Sequence, residues 1–308
     1  MSGEVLVVGE SVIDIVRSPE RDETEVVGGS PANVALGLAR QGVSVDFHTA
    51  LARDARGERI AAHLAAAGVD VAEASWSLPV TSSALAEIGS DGAARYTFDV
   101  SWHLPVPPRS TSASVVHVGS VAAFLEPGAS TVERALEGRG ADVAVTFDPN
   151  IREALVPDHA SALARFERLA AMSDVVKLSD EDAEWLYPGA GEESVARRLL
   201  VMGPRLVAVT RGGAGALIAG GDIMRSIVAP AVTVRDTVGA GDTFMAALIA
   251  QLLWHPQLLA APTTELLDAV GRYTVTAAAI TVQRVGADLP TAAEIGSALD
   301  GAVRQDGP

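Results

Sequence analysis

An α/β fold with a mostly parallel central sheet is what the sequence predicts, and three observations predict it. Short continuous apolar runs recur at Val5 to Val8, Ser114 to Gly119, Val143 to Phe147, Val175 to Leu178 and Leu206 to Thr210. Runs of that length without polar alternation are strands covered on both faces. Segments of helical length separate them, so successive strands are joined by right-handed crossovers. Finally, 308 residues of 48% hydrophobic composition can bury one substantial core, and no linker-like or low-complexity stretch divides the chain, which reads as a single domain over 1–308.

The composition also excludes classes of function. Lys and Arg number 23 against 39 Asp and Glu, a net charge of -16, which disfavours nucleic acid or an anionic membrane as partner. Phosphates would have to be met locally, by backbone nests and a few arginines. There is no cysteine, so neither a disulfide framework nor a thiolate metal site can form. The start MSGEVLVVGE lacks the basic stretch and long apolar core of a secretion signal, and no apolar run approaches the length of a membrane span. A cytoplasmic protein acting on small molecules is expected.

Taken in order, Val5 to Val8 ends in Gly9, and polar groups just past such a strand sit where α/β sheets bind ligands. Glu10 and Asp14 lie there; Asp14 is a short acceptor for two hydroxyls, or else a turn former. Ile15 to Val27 is polar and short, with room for one small strand or loop. VGGSPANVALGLARQG then reads as a helix, with Ser30 as N-cap, Pro31 in the first helical position and Gly42 just past the end. On local grounds Gly28 and Gly29 make a turn, and Asn33 is a first-turn residue whose amide both donates and accepts. A strand over Val43 to Ala50 leads to an alanine-rich helix preceded by Asp54 and Gly57 and closed by Gly68. Ser83 to Ile88 and Arg95 to Val100 alternate with period two around Ser90-Asp91-Gly92, the pattern of a hairpin.

The later strands end in polar clusters. Asp148-Pro149-Asn150-Ile151-Arg152 gathers a carboxylate, an amide and a guanidinium where a buried strand ends, and Arg152 can clamp a phosphate or a substrate anion. LSDEDAEWL starts a helix after the next strand, and Thr210-Arg211-Gly212-Gly213-Ala214-Gly215 turns the one after that toward a hairpin.

The most informative stretch is VTVRDTVGAGDTFMAALIAQLL, Val232 to Leu253. Its β-prone start, its glycines and the helix-compatible spacing from Thr243 read as strand, glycine loop and helix. Gly239, Ala240 and Gly241 form a candidate anion nest at a helix N-terminus. Asp242 is then either an N-cap or a base: a carboxylate beside a bound phosphoryl group can take the proton of an attacking hydroxyl. No Lys-Ser/Thr pair follows the glycines, and Phe244 stands where a dinucleotide fingerprint has its third glycine, so the loop is neither of those phosphate loops.

DTVGAGDTF, Asp236 to Phe244, closely resembles the C-terminal signature of the ribokinase-like family, also called the phosphofructokinase-B (PfkB) carbohydrate kinases. GGSPAN resembles that family's N-terminal signature, and the likeness extends from VLVVGE to the final helix near Ile295. It implies a three-layer α/β/α ribokinase-like fold with a mostly parallel sheet and a small β-lid from segments at about 15–27 and 80–103, and possession of ATP, Mg2+ and K+ as cofactors. It implies Asp242 as base, Gly239, Ala240 and Gly241 as anion hole, and a sugar held by Asp14, Gly28, Gly29, Asn33, Arg95, Phe98 and Arg152. On the nucleotide side it implies Lys177, Ser179, Thr210, Gly212, Gly215 and Thr237 with Gly239 and Gly241. Asp182 falls where the family has an acid of the magnesium network, although here it is one methylene shorter and Ser179 replaces an amide. Oxygens of Asp236, Val238, Thr281, Arg284 and Gly286 would hold a monovalent cation. GGSPAN, DPNIR and RYTF look most like fructokinases, which phosphorylate D-fructose at a primary hydroxyl. A 2-keto-3-deoxygluconate kinase, a nucleoside kinase and a catalytically silent sugar- or nucleotide-binding regulator are the alternatives. A homodimer through the lid belongs to the same expectation.

Overall fold

The computed structural model describes residues 4–18, 21–88, 94–104, 113–156 and 158–305. The chain opens with β1 (Val5–Val8), β2 (Val12–Ser18), β3 (Arg21–Gly28) and α1 (Ser30–Arg40), then β4 (Val45–His48), α2 (Ala55–Ala65) and β5 (Asp70–Val71). β6 (Ser83–Ile88) and β7 (Ala94–Asp99) follow. Alternation resumes with β8 (Val115–Gly119), α3 (Gly128–Glu137), β9 (Ala144–Asp148), α4 (His159–Ala171), β10 (Val175–Ser179), α5 (Asp180–Leu186), α6 (Glu192–Met202) and β11 (Leu206–Thr210). The C-terminal part comprises β12 (Ala216–Gly220), β13 (Ile223–Ile227), α7 (Ala240–Trp254), α8 (Gln257–Ala260), α9 (Thr264–Thr281) and α10 (Ala292–Gln305).

The main sheet has nine strands in the order β13-β12-β11-β10-β9-β8-β1-β4-β5. From β11 to β5 the pairings are parallel, and β12 and β13 close one edge antiparallel. The unbroken apolar runs follow from burial on both faces. Val5 and Val7 pack with Val34, Leu38, Met245 and Leu248 of α1 and α7. Leu6 and Val8 join Leu136, Phe166 and Leu199 of α3, α4 and α6 on the other side. The three layers α/β/α follow from that alternation.

A second sheet of four strands has the order β3-β2-β6-β7. The predicted hairpin is its β6–β7 half, paired antiparallel; the turn Ser90-Asp91-Gly92 lies outside the described residues. The region read as one small strand or loop is instead two strands, with β2 antiparallel to β3 and parallel to β6. β3 escaped the apolar pattern because it is a charged edge strand, a common protection against unwanted pairing. Its Glu25 pairs with Arg56 and Arg59, and its Glu23 with Arg17 of β2. The β-prone segment Val232 to Asp236 is likewise not a strand. The backbone N–H groups of Arg235 and Asp236 both donate to Val282 O at the end of α9, at 2.8 and 3.3 Å, while β13 remains the sheet edge. Among the described residues no helix is long and apolar enough to cross a membrane.

Contact between α1 and α7 is close because Gly37 has no side chain. A Cβ there would lie 2.9 Å from Ala246 Cβ of α7 and 2.5 Å from Leu289 Cδ2. Gly37→Ala is expected to lower stability by about 1–3 kcal/mol through overpacking, measured as a reduced denaturant midpoint. An unchanged midpoint would mean that Leu289 yields without loss.

Candidate active site

The chain enters α7 through Gly239, whose φ of 78° and ψ of 0° lie in the left-handed region that glycine adopts freely. No side chain caps this helix, so its first turn presents backbone N–H groups and the positive end of the helix dipole to a ligand. Asp242 is therefore not the N-cap that local spacing allowed; it is the third residue of α7. Its carboxylate crosses to the start of α1, where Oδ1 accepts the Ser30 hydroxyl at 2.6 Å and Oδ2 accepts Asn33 Nδ2–H at 2.8 Å. Asp242 is 8% exposed. Ser30 does not cap either. Gly29, with φ of 101°, is the cap of α1, and that glycine conformation leaves the Ser30 hydroxyl facing α7.

Asp14, on β2, faces the same place. A Cβ at Gly28 would overlap Asp14 Oδ2, so glycine makes room for the carboxylate, and a Cβ at Gly29 would lie 2.8 Å from Glu10 O. Burial pushes Asp14 up to about 6; the Arg152 guanidinium opposes the rise and the Asp242 charge adds to it. Arg152 is exposed and donates to its neighbour's carbonyl, Ile151 O, at 3.1 Å. Glu10, buried, accepts Ala122 N–H at 2.8 Å and is also raised by burial. Phe98 is half-buried on β7 opposite Ala84. The backbone of Arg95 pairs with Glu87 in that strand, and its side chain lies outside the described residues.

Below the glycine loop, Lys177 Nζ donates to Asp148 Oδ2 at 2.8 Å, with both side chains buried. Lys177 is thus no open contact for a nucleotide. Ser179 and Asp182 are engaged with each other. They form a capping box: Ser179 Oγ accepts Asp182 N–H at 2.9 Å and Asp182 Oδ2 accepts Ser179 N–H at 3.0 Å. Asp182 Oδ1 accepts Ile151 N–H at 2.9 Å, so its carboxylate fastens the DPNIR loop to α5. Direct coordination of magnesium by Asp182 would compete with two backbone partners. Among the described residues no three His, Cys, Asp or Glu side chains converge as a metal cage.

Thr210 ends β11 beside Ser179 in register. Gly212 opens a short 3-10 turn, and at Gly215 a Cβ would overlap Ile227 O while φ is 98°, so packing and backbone conformation both call for glycine there. Thr237 is exposed, and its carbonyl accepts Ala240 N–H at 3.2 Å. Asp236 Oδ1 accepts Val238 N–H at 3.0 Å and Oδ2 accepts Gly286 N–H at 2.8 Å; those two bonds hold its carboxyl below the ordinary value. They also draw together the two segments expected to offer carbonyls to a monovalent cation. Thr281 Oγ1 bonds Thr243 Oγ1 at 2.8 Å, and the Arg284 guanidinium is turned onto Asp288 and Glu294, so its charge is compensated away from those carbonyls.

The structure therefore brings Asp14, Gly28, Gly29, Asn33, Arg152 and Asp242 to the carboxyl ends of the parallel strands, beside an uncapped helix N-terminus. An uncapped helix N-terminus next to a buried carboxylate and further hydrogen-bonding side chains has the chemistry for phosphoryl transfer to an alcohol. The chain matches the model of the pfkB family carbohydrate kinases over residues 2–294, and it belongs to that family. It is 35% identical over 264 residues to a fructokinase of Salmonella typhimurium, covering 82% of this chain and 85% of the other. With a fructokinase of Klebsiella pneumoniae it shares 34% over 292 residues, 90% and 94% of the two chains. The fructokinase of Vibrio cholerae O395, solved with fructose, ADP and calcium ion bound, superposes with a TM-score of 0.80 at 25% identity, covering 96% and 98%.

Two features escaped the sequence reading. Ser30 sits where a cap is common, and only the φ of Gly29 redirects its hydroxyl to a residue 212 positions away. The Lys177–Asp148 pair spans two strands that are neighbours in the sheet but 29 residues apart in sequence. A charged residue inside the apolar run VVKLS was the available signal.

Asp242→Asn keeps the size and the bonds from Ser30 or Asn33 in part, and removes the proton acceptor. Turnover is expected to fall roughly 10²–10⁴-fold with a nearly unchanged Tm. A folded variant with full turnover would reduce Asp242 to a tether between α1 and α7. Asp14 gives a pH-dependent expectation. Its carboxyl ionises from 3.8 in the unfolded chain and near 6 in the fold, so between those values the folded chain binds more protons and stability falls as pH rises. Asp14→Asn should be more stable than the parent at pH 7, on the order of 1–2 kcal/mol. That advantage should disappear below about pH 4, while sugar binding is lost. Parallel Tm-against-pH curves would contradict it.

Proposed function

We propose that this carbohydrate kinase transfers the γ-phosphoryl group of ATP to a primary hydroxyl of D-fructose. The observation that carries the reading is the place of Asp242, third in α7, with its carboxylate between the glycine loop and the Ser30, Asn33 and Asp14 side chains. A neutral ketose needs hydroxyl partners, and Asp14 with Asn33 supplies acceptors and a donor. The attacking hydroxyl gives its proton to Asp242, and the N–H groups of Gly239 and Gly241 receive the phosphoryl oxygens, while Ala240 N–H stays with Thr237 O. Magnesium arriving with the nucleotide would neutralise phosphate charge, and Asp182, whose two oxygens accept Ile151 N–H and Ser179 N–H, would reach it only through water. A potassium ion would be held by oxygens of the two segments that Asp236 ties together through Val238 and Gly286. The four-stranded sheet serves as the lid of a single kinase unit. Val16 and Val26 are 37% and 52% exposed on β2 and β3, which supports pairing of two lids in a homodimer.

Arg152, exposed and electrostatically coupled to Asp14, favours a second reading in which the acceptor is an acid such as 2-keto-3-deoxygluconate. A coupled assay over fructose, other neutral sugars, 2-keto-3-deoxygluconate and a nucleoside decides between them. Fructose is expected to lead in kcat/KM by at least about tenfold, or about 1.4 kcal/mol, with higher rates in potassium chloride than in a bulky organic cation salt. A lead for the keto acid that vanishes in Arg152→Ala would reassign the substrate and leave the kinase chemistry intact; equal rates in the two salts would remove the cation site.

A further inference from the structure

Lys177 is 3% exposed, in a sheet layer where an ammonium is costly to bury. Its neighbours on one face of β10 explain where it points. Val175 belongs to the core shared with α1 and α7, whereas Val176 and Leu178 belong to the opposite core, so Lys177 rises toward α7. It stops beneath the glycine loop: a Cβ at Gly241 would lie 3.1 Å from Lys177 Nζ. Asp148 Oδ2 receives the ammonium at 2.8 Å, and Asp148 Oδ1, also buried, has no hydrogen-bond partner. His117, on the same face, bonds Thr146 Oγ1 at 3.0 Å; burial and then the Lys177 charge push it down to about 3, so it is neutral and adds no charge to the layer.

An ion pair so placed is not explained by stability, since apolar residues of equal volume commonly serve a core as well or better. Its position suggests another use. The carboxylates of Asp148, Asp182 and Asp242 all act on Lys177; burial opposes its charge, and they outweigh burial to hold it above its ordinary value. Without that ammonium, three carboxylates would face a polyphosphate across the glycine loop.

We propose that Lys177 is a positioning residue for phosphoryl transfer, a fixed positive charge held under Gly241 by Asp148 that acts through the glycine loop without touching substrate. The proposal rests on the kinase reading above and deepens it. In the transfer, the sugar oxygen forms a bond to the γ-phosphorus as its proton passes to Asp242. The bond from that phosphorus to the β,γ-bridging oxygen breaks, and ADP leaves with the electron pair. Lys177 keeps its proton throughout. Its charge opposes the repulsion that Asp242 and Asp148 exert on the phosphoryl oxygens, an effect that is strongest when negative charge gathers at the glycine loop.

Lys177→Met leaves Asp148 buried without a partner and is liable to unfold, so the decisive variant is Asp148→Asn with Lys177→Gln, a neutral pair of similar shape. Wild-type turnover on the sugar panel first tests the kinase reading by itself; its absence overturns that reading and the proposal with it. With turnover present, the neutral pair is expected to keep its Tm within a few degrees and its ATP affinity within about threefold. Its kcat should fall on the order of 10–100-fold, and its affinity for ADP with tetrafluoroaluminate and sugar, a mimic of the transferring group, should fall by the same factor. Lys177→Arg should retain more kcat than Lys177→Met wherever both fold. Unchanged kcat in the neutral pair would make Lys177 scaffold. Equal losses in ATP and mimic affinity would also overturn the proposal, because the pair would then only shape the nucleotide site.

Discussion

The buried carboxylate of Asp242 is the constraint on which the rest of the active end depends. It is held by two helix N-termini at once, that of α7 on which it resides and that of α1, which supplies Ser30 and Asn33. Both helices begin at a glycine with positive φ, Gly239 at 78° and Gly29 at 101°, and in neither does a side chain close the first turn. Two positive dipole ends therefore converge on one anion, which offsets the cost of withdrawing it from water. The same geometry leaves N–H groups for a second anion. A cap on either helix would satisfy those groups locally and abolish the convergence.

Keeping the two helix starts together requires close approach further along. Gly37 lets α1 lie against Ala246 and Leu289, and Arg40 at the end of α1 bonds Leu289 O and Asp288. Behind α7, Thr243 bonds Thr281, and Asp236 fastens the entering loop to Gly286. The glycine loop is thereby fixed from three sides before any ligand arrives, the condition under which backbone dipoles act on a reaction without reorganising.

How much of this was legible in the sequence divides along the range of the forces involved. Strands β1, β8, β9, β10 and β11 were readable because burial on both faces leaves an unbroken apolar run, and the hairpin because alternation marks a half-buried strand. β3 was not, because Arg21, Asp22, Glu23 and Glu25 give an edge strand the composition of a loop. Val232 to Asp236 had strand propensity, but its donors went to Val282 at a helix end, a tertiary choice that propensity does not contain. The motif marked the glycine at the start of α7, with Asp242 in the helix's first turn. The partners of Asp242, and the use of Ser179 and Asp182 as a capping box, depended on backbone conformation at single residues.

A chain of net charge -16 that handles polyphosphates poses an electrostatic question, and distance answers it. At physiological ionic strength charges beyond about 8 Å are largely screened where solvent intervenes, so most of the acidic surface scarcely bears on a nucleotide at the sheet edge. Within that range the balance is different. Arg152 faces Asp14 and Glu10, Lys177 faces Asp148, and two helix N-termini face Asp242. Asp14, Glu10, Asp148 and Asp242 thus each have a positive counterpart on a separate element, even though the first three are driven toward protonation by burial. Those carboxylates weaken the fold where they sit. The surrounding cations and dipoles are what make such a concentration of buried carboxylates compatible with a folded chain.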